Sequence, residues 1–374
     1  IGTAGTCGAD SSVEWLYDIT IECLSELGKT AKIAVLKSQQ PNEKIAVGLV
    51  EGWVNALPYA PDVTTEIVES CSNIVALAGA EQIGAAIETG ADIIIAGRTT
   101  DTAIIAALPL MRGEHAGAAW HGAKIGECGA LCATNPQSGV VLIDFDDTGF
   151  TVTPLADGAK CTPHTVSAHM LYENSDPFIL YEPGGHLDVT EARYTALDDT
   201  RVRVEGSVWE PSDVYTVKLE GARATGFQTI LLATLRNERY VRHAKDWCDD
   251  ILQKHRAKVE NRLGLLNEDF SVELRLIGMN ATLGDLENVE VLPSEVGILG
   301  IVTAATQARA NEIGKLLNPY LLHHPLTREE EQPTFAFPFS PAEIDRGAVY
   351  EFCLNHVMTL SEPMEAFTLE VRHA

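Results

Sequence analysis

Over the first hundred residues the chain alternates between helical periodicity and short, nearly continuous apolar runs. The stretch from Val13 to Leu27 is amphipathic; Asp10-Ser11-Ser12 offers helix N-caps before it and Gly28 a stop after it. Ala31 to Leu36 predicts a short buried strand, as do Asn73 to Leu77 and Asp92 to Ala96. A helix is expected over Ala80 to Thr89 and another over Ala103 to Leu108. Unbroken apolar strands separated by helices predict a parallel sheet covered on both faces.

From about Val140 the texture changes. Val140 to Ile143 and Phe150 to Val152 flank Asp146-Asp147-Thr148-Gly149 as a hairpin, and Arg201 to Val204 and Tyr215 to Leu219 alternate as half-buried strands. Helices are expected over Thr165 to Asn174, over Glu238 to Arg262 and, after Gly300, over Val302 to Leu317, with a strand over Ser271 to Ile277. The predicted fold is α/β: a parallel-sheet N-terminal domain over residues 1–138, then an α+β domain over 139–374 whose C-terminal extension, around Phe335 to Phe339, is ordered. At 374 residues the chain exceeds the usual size of a single core. It opens at Ile1-Gly2 without methionine, and the first strand, which should precede the glycine-rich turn there, is expected to be missing.

The net charge of −26 changes the picture most. Nucleic-acid affinity comes largely from lysine and arginine neutralising phosphates, and no basic run occurs, so nucleic acid and anionic membrane surfaces are excluded as partners. No apolar stretch is long enough to span a bilayer and no signal peptide is visible, which points to the cytoplasm. Eight cysteines occur with no CxxC pair, Cys128 and Cys132 lying nearest each other, and they read as buried thiols of a reducing compartment.

Candidate chemistry gathers in five places. Gly2 to Asp10, with Gly5 and Gly8, precedes a helix and can present backbone N–H groups to an anion, although its GxxGxxG spacing matches neither a dinucleotide fingerprint nor a P-loop; a tight turn with Asp10 as helix cap is the plainer alternative. Gly97-Arg98-Thr99-Thr100-Asp101-Thr102 follows an apolar strand and opens a helix, where open α/β sheets bind ligands. There Arg98 can clamp a carboxylate with Thr99 beside it, and Asp101 can serve as acid or base or orient Arg98. His121, Lys124 and Glu127 recur every third residue before Cys128, as a proton-transfer face or a solvated one. His169 and Glu173 stand four apart on a helix with proline in its first turn, as an acid–base pair, half a metal site or a hydrogen-bonded core histidine. Lys218, in Lys218-Leu219-Glu220-Gly221, can meet an anion where a strand ends.

Gly2 to Asp10, Gly90 to Arg98, Glu127 to Ala130, His169 to Asn174, Val217 to Gly221 and Ala336 to Pro341 occur in that order, and together they resemble the acyclic terpene utilisation (AtuA-like) family. The resemblance spans almost the whole chain. It implies a setting in branched-acid catabolism, where intermediates travel as CoA thioesters, and a small companion protein. The resulting expectation is a cytoplasmic lyase, hydratase or isomerase of a small carboxylate or acyl-CoA thioester, assembled as a homo-oligomer. In that reading Gly5, Gly8, Arg98, Thr99 and Lys218 bind substrate, His169 and Glu127 trade protons, and Asp101 orients them. No cofactor is assigned; a divalent metal on His164, His169 and Glu173, serving a hydrolase or C–C lyase, is the rival enzyme reading. A non-catalytic scaffold or carrier subunit is the other rival.

Overall fold

The computed structural model describes residues 1–5, 7–136, 139–288 and 291–374. The chain forms two compact units, residues 1–223 with 352–374, and residues 224–351. The expected boundary at 138/139 therefore falls inside the first unit. The change of texture there marks a change of sheet: Ala103, Ala118 and Trp120, from helices before it, share one core with Phe150, Val152, Leu187 and Val202 from strands after it.

In the first unit the strands Gly2–Thr3, Ile93–Ala96 and Lys32–Lys37 run parallel in that spatial order, and Thr368–His373 closes the sheet antiparallel to Lys32–Lys37. Burial of Ile33 to Leu36 explains the unbroken apolar run. Gly2–Thr3 is itself a short strand ahead of the glycine turn. Cys71–Ala76, expected in this sheet, instead pairs antiparallel with Leu219 to Arg223; an apolar run reports burial and not the direction of its partner. Helix Asp10–Leu27 ends at Gly28, whose φ of 61° suits a residue without a β-carbon. Asp10 is not its cap. Ala9 holds that position, and the Asp10 carboxylate accepts the Gln39 backbone N–H at 3.3 Å.

Helices Asp101–Met111 and Ala116–Gly126 follow. The second is buried from Gly117 to Ile125, so small residues line it where backbone passes close: a β-carbon at Gly117 would lie 2.2 Å from the Ser207 carbonyl oxygen. His121, on this helix, is a core histidine, fully enclosed between the Ser207 hydroxyl (2.7 Å) and the Tyr194 hydroxyl (3.2 Å). Burial pushes its pKa down to about 3. Two antiparallel sheets complete the unit, a four-stranded one that includes the hairpin Val141–Asp146 and Gly149–Pro154, and a three-stranded one of Val208–Pro211, Gly185–Asp188 and Ile179–Glu182.

The strand expected to stop near Gly221 runs on as Tyr215–Leu235; its alternating burial breaks over Ala222 to Gln228 and resumes to Leu235. In the second unit the order is strand (to Leu235), helix Ala244–Leu263, strand Phe270–Ile277, strand Val296–Ala304, helix Gln307–His323 and strand (from Ile344). The second, third, first and fourth strands lie side by side in that order. This is the βαββαβ connectivity of a ferredoxin-like plait. The helix expected from Val302 begins instead at Gln307, since Val302 and Ala304 are strand residues facing the core.

Candidate active site

Strand Ile93–Ala96 delivers Gly97 to Thr102 to the end of the parallel sheet, and the glycine turn packs directly on it. A β-carbon at Gly8 would lie 2.2 Å from the Arg98 backbone nitrogen, and Gly8 has φ of 61°. The Ser38 hydroxyl ties the two segments, accepting the Arg98 N–H at 2.7 Å and donating to the Gly8 carbonyl at 3.4 Å. The expected proximity of Gly8 and Arg98 is therefore present, but backbone fills the space between them. Gly5 also turns left-handed, and the nearest atoms to a β-carbon there belong to Ser12, at 3.8 Å. Thr6 lies outside the described residues.

Arg98 is engaged by protein groups, with 26% of its side chain exposed. Its Nε donates to Glu220 at 3.0 Å, its Nη1 to the Thr99 carbonyl at 3.1 Å, and Asp101 lies 3.7 Å away. Lys218 donates to the other Glu220 oxygen at 3.0 Å. One carboxylate thus answers both cations expected to grip substrate. Burial pushes the Glu220 pKa up, but Arg98 and Lys218 outweigh it and hold the group ionised. Thr99 is fully buried, and its hydroxyl stands there without a partner.

A second cluster has a different character. The last turn of helix Ala116–Gly126 carries Lys124, its C-cap is Glu127, and Cys128 follows. Helix Pro163–Ala168, started by Thr162 as N-cap and Pro163, brings in His169 at its end. The Lys124 ammonium is almost wholly buried, paired with Glu127 and donating to the Tyr172 carbonyl at 2.9 Å. The His169 ring stacks on Tyr172 at 5.5 Å, while Nε2 is buried without a partner. Burial and then the nearby Lys124 charge push its pKa down to about 4, so the ring is neutral at physiological pH. Glu182, from strand Ile179–Glu182, accepts from the Thr102 hydroxyl through Oε1 and leaves Oε2 buried and unpartnered. Burial pushes its pKa up to about 7, with Glu127 pushing the same way and Lys124 opposing. Burial likewise raises Glu127, with Asp101 and Glu173 adding to the effect.

Of the expected residues, Glu127 and His169 are brought together, and Asp101 reaches them through its field on Glu127. Lys124 was expected to share a proton-transfer face with His121 and Glu127, whereas Glu182 was not expected in the site. Glu182 carries no local signal, being a lone glutamate before Pro183 that is placed by strand pairing. As for metals, one donor atom each from Glu127, Cys128 and His169 lies within 4.8 Å of the others. This differs from the expected set, since His164 is exposed and neither it nor Glu173 belongs to the group. The donors suit a zinc-type ion, but the Lys124 ammonium beside Glu127 opposes a second cation. Against His169, a cavity of about 340 Å³ is lined by Leu131, His164, Thr165, Ala168 and Tyr172.

Comparison with known proteins adds one finding. Residues 7–335 match the family model described as acyclic terpene utilisation family protein AtuA. The chain belongs to the AtuA family. The match includes both charged clusters and most of the second unit, so the site described above lies wholly inside the family's span. No curated protein and no solved structure matches the chain. No helix among the described residues is long and apolar enough to cross a membrane.

Proposed function

We propose that this AtuA-family protein is a metabolic enzyme that adds or removes a proton next to the carbonyl of a small carboxylate or acyl-CoA thioester, as a lyase, hydratase or isomerase. The observation that carries this reading is the buried, unpartnered Nε2 of His169 beside the Lys124–Glu127 pair. A ring nitrogen stripped of water and of partners is costly to maintain, and it is what a substrate C–H or O–H group needs as a base. Glu182 supplies the complementary acid and Glu127 passes protons between them, with Lys124 stabilising negative charge that develops on the carbonyl oxygen. Asp101 tunes Glu127 through space. Arg98, Thr99, Gly8 and Lys218 build the wall of the site and do not grip the substrate. The family's name, from acyclic terpene utilisation, fits branched acids carried as thioesters.

The test is turnover of a panel of hydroxy acids and their CoA esters, with and without a small companion protein, by the wild-type chain and by His169→Gln. The reading requires turnover by the wild type and its loss in the variant at unchanged Tm. Equal turnover by both removes His169 as base, and activity seen only with a companion would make the chain a subunit. A second reading rests on the convergence of Glu127, Cys128 and His169: a divalent ion there would polarise the carbonyl instead. Elemental analysis of the purified protein separates the two, since stoichiometric zinc favours the metal and its absence the proton-transfer reading.

A further inference from the structure

Among its described residues the first unit holds one buried lysine amine, and its surroundings are those of a nucleophile. We propose that Lys124 is a covalent catalyst, forming an imine with a keto-acid substrate; this rests on the proton-transfer reading above, narrows its carboxylates to keto acids and gives Lys124 a covalent role in place of charge stabilisation. Lys124 is 3% exposed, and its Nζ uses two of three donor directions, to Glu127 and to the Tyr172 carbonyl. A lysine withdrawn from water in this way is the kind that enzymes use for imine chemistry. Imine formation from an ammonium takes two protons off nitrogen and puts two onto the departing oxygen. Two buried acceptor atoms of this same cluster stand without partners, His169 Nε2 and Glu182 Oε2, while Glu127 touches the amine itself. The other cations of this wall, Arg98 and Lys218, are both bonded to Glu220 and have no comparable set of proton acceptors.

The step balances without any further reactant. Glu127 takes a proton from the Lys124 ammonium, and the neutral nitrogen attacks the carbonyl carbon. The C–N bond forms as the C=O π pair moves to oxygen, which is protonated by Glu182. His169 removes a second proton from nitrogen. His169 then passes that proton to the hydroxyl, which leaves as water while the nitrogen lone pair closes the C=N bond, so the ring is neutral again. Overall, ammonium plus ketone gives a protonated imine plus water. The imine draws electrons from the neighbouring carbon, so His169 can remove a proton there or a C–C bond can break, which is the chemistry of a lyase acting next to a carbonyl.

The experiment is reductive trapping of the full chain with sodium cyanoborohydride in the presence of pyruvate, 2-oxobutyrate or acetoacetate, read by intact mass and peptide mapping. The expected result is a single reduced adduct on the peptide containing Lys124 with at least one of the three, lost in Lys124→Arg and in Lys124→Met. No adduct with any of them in the wild type, or an adduct that maps to another lysine and survives both substitutions, overturns the proposal. Trapping in wild type requires no variant to fold, so the test stands if both substitutions misfold. His169→Gln separates the two readings. An adduct at Lys124 with turnover unaffected by His169→Gln keeps the imine and removes the base; turnover lost in His169→Gln without any adduct in wild type does the reverse.

Discussion

Two charged clusters stand within one unit of this protein, and they differ in how fully their polar atoms are answered. Around Glu220 the account closes for the charged groups: Arg98 bonds one oxygen, Lys218 the other, and the remaining Arg98 contacts go to Asp101 and the Thr99 carbonyl, which leaves the neutral Thr99 hydroxyl as the buried atom without a partner. Around Lys124 it stays open, with His169 Nε2 and Glu182 Oε2 buried and unpartnered. A network whose charges are matched within the protein lowers the energy of the fold and offers a ligand little unmet charge. An open one costs stability that a bound substrate can return. By this difference the Lys124 cluster reads as the site of chemistry and the Arg98 cluster as its scaffold.

Substitutions can break that contrast. The largest effect is expected on turnover: His169→Gln should lower kcat by about 10²–10⁴-fold, the usual range for a general base, with Tm within a degree or two of wild type as read by thermal unfolding. Next, Gly8→Ala should destabilise by about 3 kcal/mol or more, because a left-handed residue gains a β-carbon against the Arg98 backbone; denaturant titration measures it. Glu220→Gln should cost about 1–3 kcal/mol by leaving two half-buried cations under-bonded, while turnover persists. If Glu220→Gln abolished turnover in a folded protein, the division between scaffold and chemistry would fail.

The smallest effect concerns acid. Hydrogen bonds from Arg372 and then Lys37 hold the Glu14 pKa at about 2, against an ordinary 4.5. A depressed carboxylate stabilises the fold fully above the unfolded pKa and loses that contribution as pH falls from about 4.5 through about 2. Glu14 is partly exposed, so solvent screens the effect. Tm measured from pH 5 to 2 should fall slightly less steeply in Glu14→Gln than in wild type.

Local pattern carried much of the fold. Helix Asp10–Leu27 with its Gly28 stop, the buried strand Lys32–Lys37 and the hairpin around Asp146 to Gly149 were legible because each is set by nearby residues. Pairing partners were not: Cys71–Ala76 joins a strand more than a hundred residues on, and Tyr215–Leu235 continues past the Lys218 to Gly221 segment because of neighbours that arrive later. The site divided in the same way. Glu127 and His169 stood out through motif and spacing, whereas the neutralisation of Arg98 and Lys218 depends on Glu220, two residues after Lys218 but turned to meet a distant loop. Glu182 could not be found from spacing, since only the fold brings it to Thr102.

The pH profile of kcat/KM, which reports on the free enzyme, tests the central claim most directly. Turnover should rise as His169 loses its proton near pH 4 and fall as Glu182 loses its own near pH 7, and the acid limb should disappear from the residual activity of His169→Gln. An acid limb that persists unchanged in that variant would contradict the assignment of the open cluster as the seat of proton transfer.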